Sequence, residues 1–501
     1  MSESYLKVVF PKLNLAVKAD CGDNLLELIR EAGIGLDASC GGVGRCGKCR
    51  VVIDGVDHLA CTTHVVRDLE VLIPAEQTNE GYAILVDHES AGERSAGGTQ
   101  GDTRTYAIAI DIGTTTVVGK LIDLATGREH ASFAQLNTQI PYGADVVSRI
   151  DASLDDASTL SNLLTGQIDK AVASLLAEHR IDKNDVRKLV LAGNTTMSYL
   201  LLGLPCRSLG LAPFKPAFVL KDAYAYRDVF HTDTLYCNCE VVPYISAFVG
   251  GDITSGLVAL RGEDDFILMD MGTNGELVFK RGERLICTAT ATGPAFEGGT
   301  IECGCGSTRG AISALAYEGG GFRYQTIGAA PASGICGSGI LDLMAILVRE
   351  GMVDKTGFLT DALGDERGRI VLTPGSPETG NTPVFFTQKD VRQYQLAKGA
   401  VRAGLEVLMH EMGGDPPSKV FLAGGFGQNL NPESALATGL LPKDFRGRVT
   451  PIGNSSLSGA VKLCLNASAR EDVATLQTAG EEINLATHRR FNDLFMESMS
   501  F

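Results

Sequence analysis

Apolar and polar positions alternate over short stretches at the start of the chain. Residues 5–10 and 13–18 read as the two strands of a hairpin. Between 24 and 32, Leu25, Leu28, Ile29 and Ala32 fall on one helical face. Asp23 or Asn24 can cap that helix, and Gly33 can end it. Residues 51–53 and 69–73 predict further short strands.

This hairpin, helix and crossing strands make residues 1–86 a β-grasp pattern. Residues 87–105, DHESAGERSAGGTQGDTRT, then break the periodicity with Gly, Ser, Thr and charge. They predict a flexible tether, whose ends as a coil would lie roughly 20–25 Å apart. From 106 onward short apolar runs alternate with helical periodicity, as in an α/β protein. The runs are 107–110, 189–192, 266–269 and 420–423, and the helical stretches 160–180, 339–349 and 391–412. Asp111-Ile-Gly-Thr-Thr recurs as Asp270-Met-Gly-Thr-Asn, and Leu191-Ala-Gly-Asn as Leu422-Ala-Gly-Gly. A weak internal repeat of this kind predicts two related lobes, over 106–245 and 246–501.

Composition narrows the class. The 501 residues include 59 glycines, an excess that suits tight turns and close backbone approaches. With 44% hydrophobic and 21% charged residues, a disordered or collagen-like chain is excluded. A net charge of −16 disfavours binding to nucleic acid or to an anionic membrane. Uncharged stretches such as 189–206 are broken by polar residues, and the first residues, Met-Ser-Glu-Ser-Tyr, do not resemble a signal peptide. The cytoplasm is the expected location.

Four of the 13 cysteines stand close together, as Cys40-x5-Cys46-x2-Cys49-x11-Cys61. Three thiolates on one glycine-rich loop with a fourth beyond it is a [2Fe–2S] arrangement. Gly41, Gly42, Gly44 and Gly47 let the backbone wrap a cluster and turn amides toward its sulfurs. A structural zinc site is the other chemistry open to this set, though zinc usually takes two short pairs. The segment resembles ferredoxin domains, with a first gap one residue longer than the plant-type loop. Cys237 with Cys239 and Cys303 with Cys305 are the other suggestive pairs, and ordinary buried thiols are the simpler reading.

Each repeated Asp-x-Gly-Thr follows an apolar run. Such a turn offers backbone and hydroxyl donors to phosphates while its Asp faces a metal or an attacking water. Two of them facing each other can clamp phosphate and Mg²⁺ between lobes. The run 420–423 followed by Gly424-Gly425-Phe426-Gly427 suits close backbone approach to an adenosine. No Walker phosphate loop occurs. The order of these motifs resembles the ASKHA superfamily of kinases, chaperones and actin over roughly 106–466. It implies two RNase-H-like lobes with ATP in the cleft.

A ferredoxin unit joined to an ATPase suits an uphill electron transfer, in which each 100 mV costs about 2.3 kcal/mol per electron. The whole layout resembles the reductive activators of corrinoid proteins. That resemblance rests on the cysteine loop, both phosphate turns, the stretch 291–299 (ATGPAFEGG) and the stretch 333–342 (SGICGSGILD). It implies ATP-dependent reduction of Co(II) to Co(I) in a methyltransferase's corrinoid protein. Cys40, Cys46, Cys49 and Cys61 would hold the cluster. Asp111 and Asp270 would be catalytic, with Gly113, Thr114, Thr115, Gly272, Thr273 and Asn274 around the phosphates and Mg²⁺. Gly424 and Gly425 would line the adenosine.

Expected partners are a corrinoid protein and an electron donor, with a homodimer left open. Longer relatives carry an extra middle piece, which this chain is expected to lack. Glu297 and Asp342 are candidates without an assigned role. Two other functions compete: an activator of a dehydratase or dearomatising reductase, and a small-molecule kinase with a regulatory cluster.

Overall fold

The computed structural model describes all residues except 1–4, 14, 33, 35, 37–48, 75–104, 144, 273, 361–364, 366–367 and 377–381. The expected tether lies outside the described residues, apart from Thr105.

The N-terminal unit contains β1 (Leu6–Phe10), β2 (Leu15–Ala19), α1 (Leu25–Glu31), β3 (Arg50–Ile53), β4 (Val56–Leu59) and β5 (Leu69–Leu72). They form one sheet in the order β2-β1-β5-β3-β4, with β1 and β5 parallel. Asn24 caps α1 by accepting from the amides of Leu26 and Glu27. Leu25, Leu26, Leu28 and Ile29 bury one helix face against Val8, Phe10, Val51 and Val71. The sequence reading omitted β4, whose exposed Asp57 and His58 hide the strand pattern at the sheet edge.

The next stretch contains β6 (Tyr106–Ile112), β7 (Thr116–Asp123), β8 (Arg128–Leu136), α2 (Val146–Asp155), α3 (Ala157–His179), β9 (Val186–Gly193), α4 (Thr195–Leu201), α5 (Arg207–Gly210), β10 (Tyr224–Ala225), α6 (Tyr226–Phe230), β11 (Asn238–Val241) and α7 (Gly251–Ala259). Then come β12 (Asp265–Met271), β13 (Gly275–Arg281), β14 (Arg284–Thr290), β15 (Ala311–Glu318), β16 (Gly321–Thr326), β17 (Gly334–Ile335), α8 (Gly337–Arg349), β18 (Ile370–Thr373), β19 (Val384–Phe386) and α9 (Gln388–Glu411). The chain ends with β20 (Lys419–Ala423), α10 (Gly424–Gln428), α11 (Pro432–Thr438), β21 (Val449–Gly453), α12 (Ser455–Leu465), α13 (Ala469–Ala479), β22 (Gly480–Glu482) and α14 (Phe491–Ser498).

Two six-stranded sheets, β10-β11-β9-β6-β7-β8 and β21-β20-β12-β13-β14-β22, repeat one plan. In each, a central antiparallel hairpin (β6–β7 or β12–β13) pairs in parallel with a strand that runs up to an Ala-Gly step (Ala192-Gly193 in β9, Ala423-Gly424 at the end of β20). The repeated sequence motifs therefore occupy equivalent places in the two sheets.

The helices α7 and α12 cross between these sheets. Ile253 and Leu257 of α7 pack with Phe266, Leu268 and Val278 of the second sheet. Leu457, Ala460 and Val461 of α12 pack with Ala107, Ala109, Val190 and Ala192 of the first. Sequence position alone would put α12 with the second lobe, but its apolar face is buried on the first. Among the described residues no helix is long and apolar enough to cross a membrane.

The crossing is closed to larger side chains. A Cβ on Gly459 of α12 would lie 1.7 Å from the Ser255 carbonyl oxygen of α7, a backbone atom that cannot rotate away. Gly459→Ala is therefore expected to destabilise by about 1–3 kcal/mol, outweighing alanine's helix advantage of about 1 kcal/mol. Gly166 in α3 has nothing within 4 Å of its added Cβ, so Gly166→Ala should be neutral or stabilising. Thermal unfolding of the two variants checks the pair: equal midpoints would refute the close crossing.

Candidate functional site: an acidic interlobe cleft and a thiol pair

Asp111 and Asp270 stand at equivalent ends of the central strands β6 and β12. Asp111 is in register with Ala192 of β9, and Asp270 with Ala423 of β20. The first turn closes as the Gly113 amide donates to the Thr116 carbonyl at 2.8 Å. A Cβ on Gly113 would sit 2.8 Å from that same oxygen, so the turn requires glycine. In the second turn the Gly272 amide donates to the Asn274 carbonyl at 3.0 Å. Thr273 lies outside the described residues.

The α12 end closes over the first turn. Asn454 Nδ2 donates to Asp111 Oδ2 and Ser456 Oγ to Asp111 Oδ1, both at 2.7 Å. Asn194, the cap of α4, donates from Nδ2 to Thr114 Oγ1 at 3.1 Å. That bond orients the Thr114 hydroxyl and leaves its proton to be donated elsewhere. On the second sheet, Gly424 has φ of +81°, and a Cβ there would lie 2.5 Å from Asp270 Oδ1. Gly424 thus admits the Asp270 carboxylate to the β20 loop, while Gly425 faces open space with nothing within 4 Å. Beside it Phe426 stacks on Phe296 with ring centroids 4.8 Å apart.

Two further carboxylates, absent from the sequence-based set, join this cleft. Asp252 stands in the first turn of α7 and Glu276 opposite Asp270 in the β12–β13 pair. Burial pushes the Asp270 carboxyl up to about 7, with the charges of Asp252 and Asp111 adding to it. Burial also carries Asp252 to about 7, opposed by a hydrogen bond from the Ile253 amide and reinforced by Asp111. Glu276 is raised by burial and by the charges of Asp252 and Asp270, against a hydrogen bond from Asn274. For Asp111 burial outweighs the lowering by Ser456 and Asn454. These carboxylates raise one another through their charges without forming a closed metal-holding set among the described residues, and one or two of them with phosphate oxygens and water would suit Mg²⁺. The run Gly250-Gly251-Asp252 and the strand-end Asn454 were the available sequence signals for the missed groups.

Other motifs resolve into structure. Asp342 accepts from Ser434 Oγ at 2.7 Å and from the Leu315 amide at 3.3 Å, which makes it a buried tie between α8, α11 and β15. Cys336 is buried, and its thiol donates to the Ile312 carbonyl. Glu297 ends the 3-10 turn Gly293–Glu297 that carries Phe296. Among the described residues no group of three or more His, Cys, Asp or Glu forms a metal-holding set. Cys237 and Cys239, like Cys303, have thiols raised by burial.

In the N-terminal unit Cys49 and Cys61 are both buried, with sulfurs 3.2 Å apart. The fold brings them together through the Ala60 amide, which donates to the Cys49 carbonyl, and Asn24, whose Nδ2 donates to the Cys61 carbonyl. Cys40 and Cys46 lie outside the described residues. Two adjacent sulfur donors fit half of a four-thiolate cluster site.

Comparison with known proteins matches both the N-terminal unit and the two sheets. Residues 11–66 match the 2Fe-2S iron-sulfur cluster binding domain, 106–263 the RACo middle region and 264–501 the C-terminal ASKHA domain of RACo. The expected lack of a middle piece is thereby corrected, since the family's middle region is the first α/β sheet with its helices. The chain is 34% identical to the corrinoid activation enzyme RamQ of Eubacterium limosum, covering 79% of this chain and 70% of that one. It is 25% identical to a Co(II) methylated amine-specific corrinoid protein reductase of Methanosarcina barkeri, over 79% and 77% of the two chains. A solved reductive activator for a corrinoid, iron-sulfur protein superposes with a TM-score of 0.70 at 27% identity, covering 99% of this chain and 98% of that one.

The carboxylate cluster sets a pH dependence. Asp252 and Asp270 titrate near 7 in the fold against an ordinary 3.8, so the folded chain binds their protons more tightly. Their contribution to stability is complete below the ordinary value and is lost as pH rises toward 7. In EDTA the protein should therefore melt lower at pH 8 than at pH 6. Added Mg²⁺ should raise the melting temperature more at pH 8 than at pH 6, because at pH 6 protons already neutralise the cluster. Melting curves at both pH values, with equal Mg²⁺ shifts, would contradict the assignment.

Proposed function

The chain belongs to the RACo family of reductive activators, and from that premise we propose that it restores a methyltransferase's corrinoid protein by ATP-dependent reduction of Co(II) to Co(I). The observation that carries this reading is a thiol pair in a ferredoxin-type unit on the same chain as an acidic cleft between two ASKHA sheets. Cys40, Cys46, Cys49 and Cys61 would hold a [2Fe–2S] cluster. When bound, that cluster supplies one electron at low potential.

The remaining work falls to the cleft. Thr114 and Thr115 would present amide and hydroxyl donors to the phosphates from one sheet, with Gly113 closing the turn beneath them through its bond to the Thr116 carbonyl. Gly272 and Asn274 would serve from the other, together with Thr273 of the same turn. Asp111, held by Asn454 and Ser456, and Asp270, seated against Gly424, would position Mg²⁺. Asp252 is suited to orient the attacking water and to take its proton, because its carboxyl sits near neutrality. Gly424 and Gly425 give the adenosine room against backbone.

Nucleotide bound between the two turns would draw the sheets together, and its hydrolysis would release them. That cycle supplies the free energy for electron transfer to an acceptor of lower potential, about 2.3 kcal/mol for each 100 mV. The partners are a corrinoid protein and a reductant for the cluster, with the activator acting in the cytoplasm. A homodimer is compatible with this scheme and is not required by it.

The anaerobic, cluster-loaded protein should convert a Co(II) corrinoid protein to its Co(I) spectrum only with Mg·ATP and reductant. Cys46→Ser should abolish that conversion while leaving nucleotide binding intact. Asp252→Asn should leave the cluster absorption unchanged and reduce ATP turnover at least 100-fold, a usual loss for a proton-transfer group. Phosphoryl transfer to a small molecule, unaffected by Cys46→Ser, would instead favour a kinase.

A further inference from the structure

Three consecutive carbonyls of the first phosphate turn point back into the protein. Asn137 Nδ2 donates to the Gly113 carbonyl at 2.9 Å, and the Asn137 amide to the Thr115 carbonyl at 2.9 Å. Between them Arg149 Nη2 donates to the Thr114 carbonyl. Arg149 also donates from Nε to the Gly143 carbonyl at 2.9 Å and from Nη1 to Gln139 Oε1 at 3.2 Å. Gln139 in turn donates its amide to Asn137 Oδ1 at 2.9 Å and its Nε2 to the Leu160 carbonyl at 2.8 Å. The three side chains form one connected network, and each is at most 1% exposed.

A buried guanidinium is costly unless its donors are met, and it usually pairs with a carboxylate. Among the described residues Arg149 makes no such ion pair, and its donors go to carbonyl oxygens, an amide oxygen and the Met197 sulfur. Burial lowers Arg149 only to about 9, so it stays charged at neutral pH. A carbonyl dipole turned toward a phosphate repels it, whereas an amide attracts it. Tying all three carbonyls inward fixes the peptide planes of the turn in the orientation an anion requires.

We propose that Asn137, Gln139 and Arg149 are positioning residues for ATP: they hold the 113–116 turn with its carbonyls withdrawn, and Arg149 bridges that turn to the segment 139–143. The proposal rests on the reading of this turn as a nucleotide site. None of the three side chains touches the nucleotide in this scheme. Lysine cannot replace Arg149, because a single ammonium cannot reproduce the planar fork that reaches three acceptors.

The test measures ATP turnover, KM for ATP and melting temperature in the full, cluster-loaded chain. Variants are Arg149→Lys and Asn137→Ala, with Leu164→Ala as a destabilised control in the core of the same lobe. Arg149→Lys should raise KM or lower kcat so that kcat/KM for ATP falls about 100-fold, as displaced binding groups do. Asn137→Ala should lower it at least 10-fold. Both should leave the cluster absorption unchanged, and Leu164→Ala should keep wild-type KM despite its lower melting temperature. Folded Arg149→Lys and Asn137→Ala proteins with kcat/KM within twofold of wild type would overturn the proposal. Failure of both to fold would also overturn it, by making the network purely structural. A wild-type chain that binds no ATP would instead remove the nucleotide-site reading itself.

Discussion

The site depends on the near-contact of α7 and α12. Each helix follows a strand or loop of one half of the ATPase but buries its apolar face on the sheet of the other. The exchange works only because Ser255, Gly256, Ser455 and Gly459 present almost no side-chain bulk at the crossing. Asp252 rides on the first turn of α7, and Asn454 and Ser456 begin α12. The same crossing that joins the sheets therefore brings Asp252 to the cleft and closes two hydrogen bonds over Asp111.

Bringing carboxylates together in this way stores repulsion in the resting cleft. Burial and mutual charge raise Asp111, Asp252, Asp270 and Glu276 together. A cation placed among them would relieve that repulsion. The opposite arrangement holds below the first turn, where the Asn137–Gln139–Arg149 network is fully bonded. A satisfied network rigidifies what it supports. The turn between them is fixed on its inner side and electrostatically open on its outer side.

Much of this was legible in the residues. The apolar runs ending in Asp-x-Gly-Thr and Ala-Gly marked β6, β9, β12 and β20, because a central strand must be apolar up to the turn. Their recurrence also announced two equivalent sheets, and the spacing of four cysteines announced the cluster unit. Long-range relations were hidden. Asn454 and Ser456 stand 343 and 345 residues from Asp111, and nothing local in either segment signals the pairing. Asp252 reads as part of a glycine-rich helix start, and its chemistry emerges only when α7 is packed across to the second sheet. Glu276 reads as an ordinary strand residue until the hairpin sets it opposite Asp270.

A chain that couples a nucleotide to an electron needs its two units to meet on shared structure. The 3-10 turn Ile140–Tyr142 directly follows Gln139, and Gly143, next along, gives its carbonyl to Arg149. The Tyr142 ring lies under the Arg30 guanidinium of α1, 5.6 Å from its centroid. Tyr142 is thus raised by burial and lowered by Arg30, whose unit also carries the thiol pair. The segment supporting the phosphate turn from below is therefore the segment that α1 touches from outside. Arg149 and Arg30 thus attach to one short segment, 139–143, from its two sides.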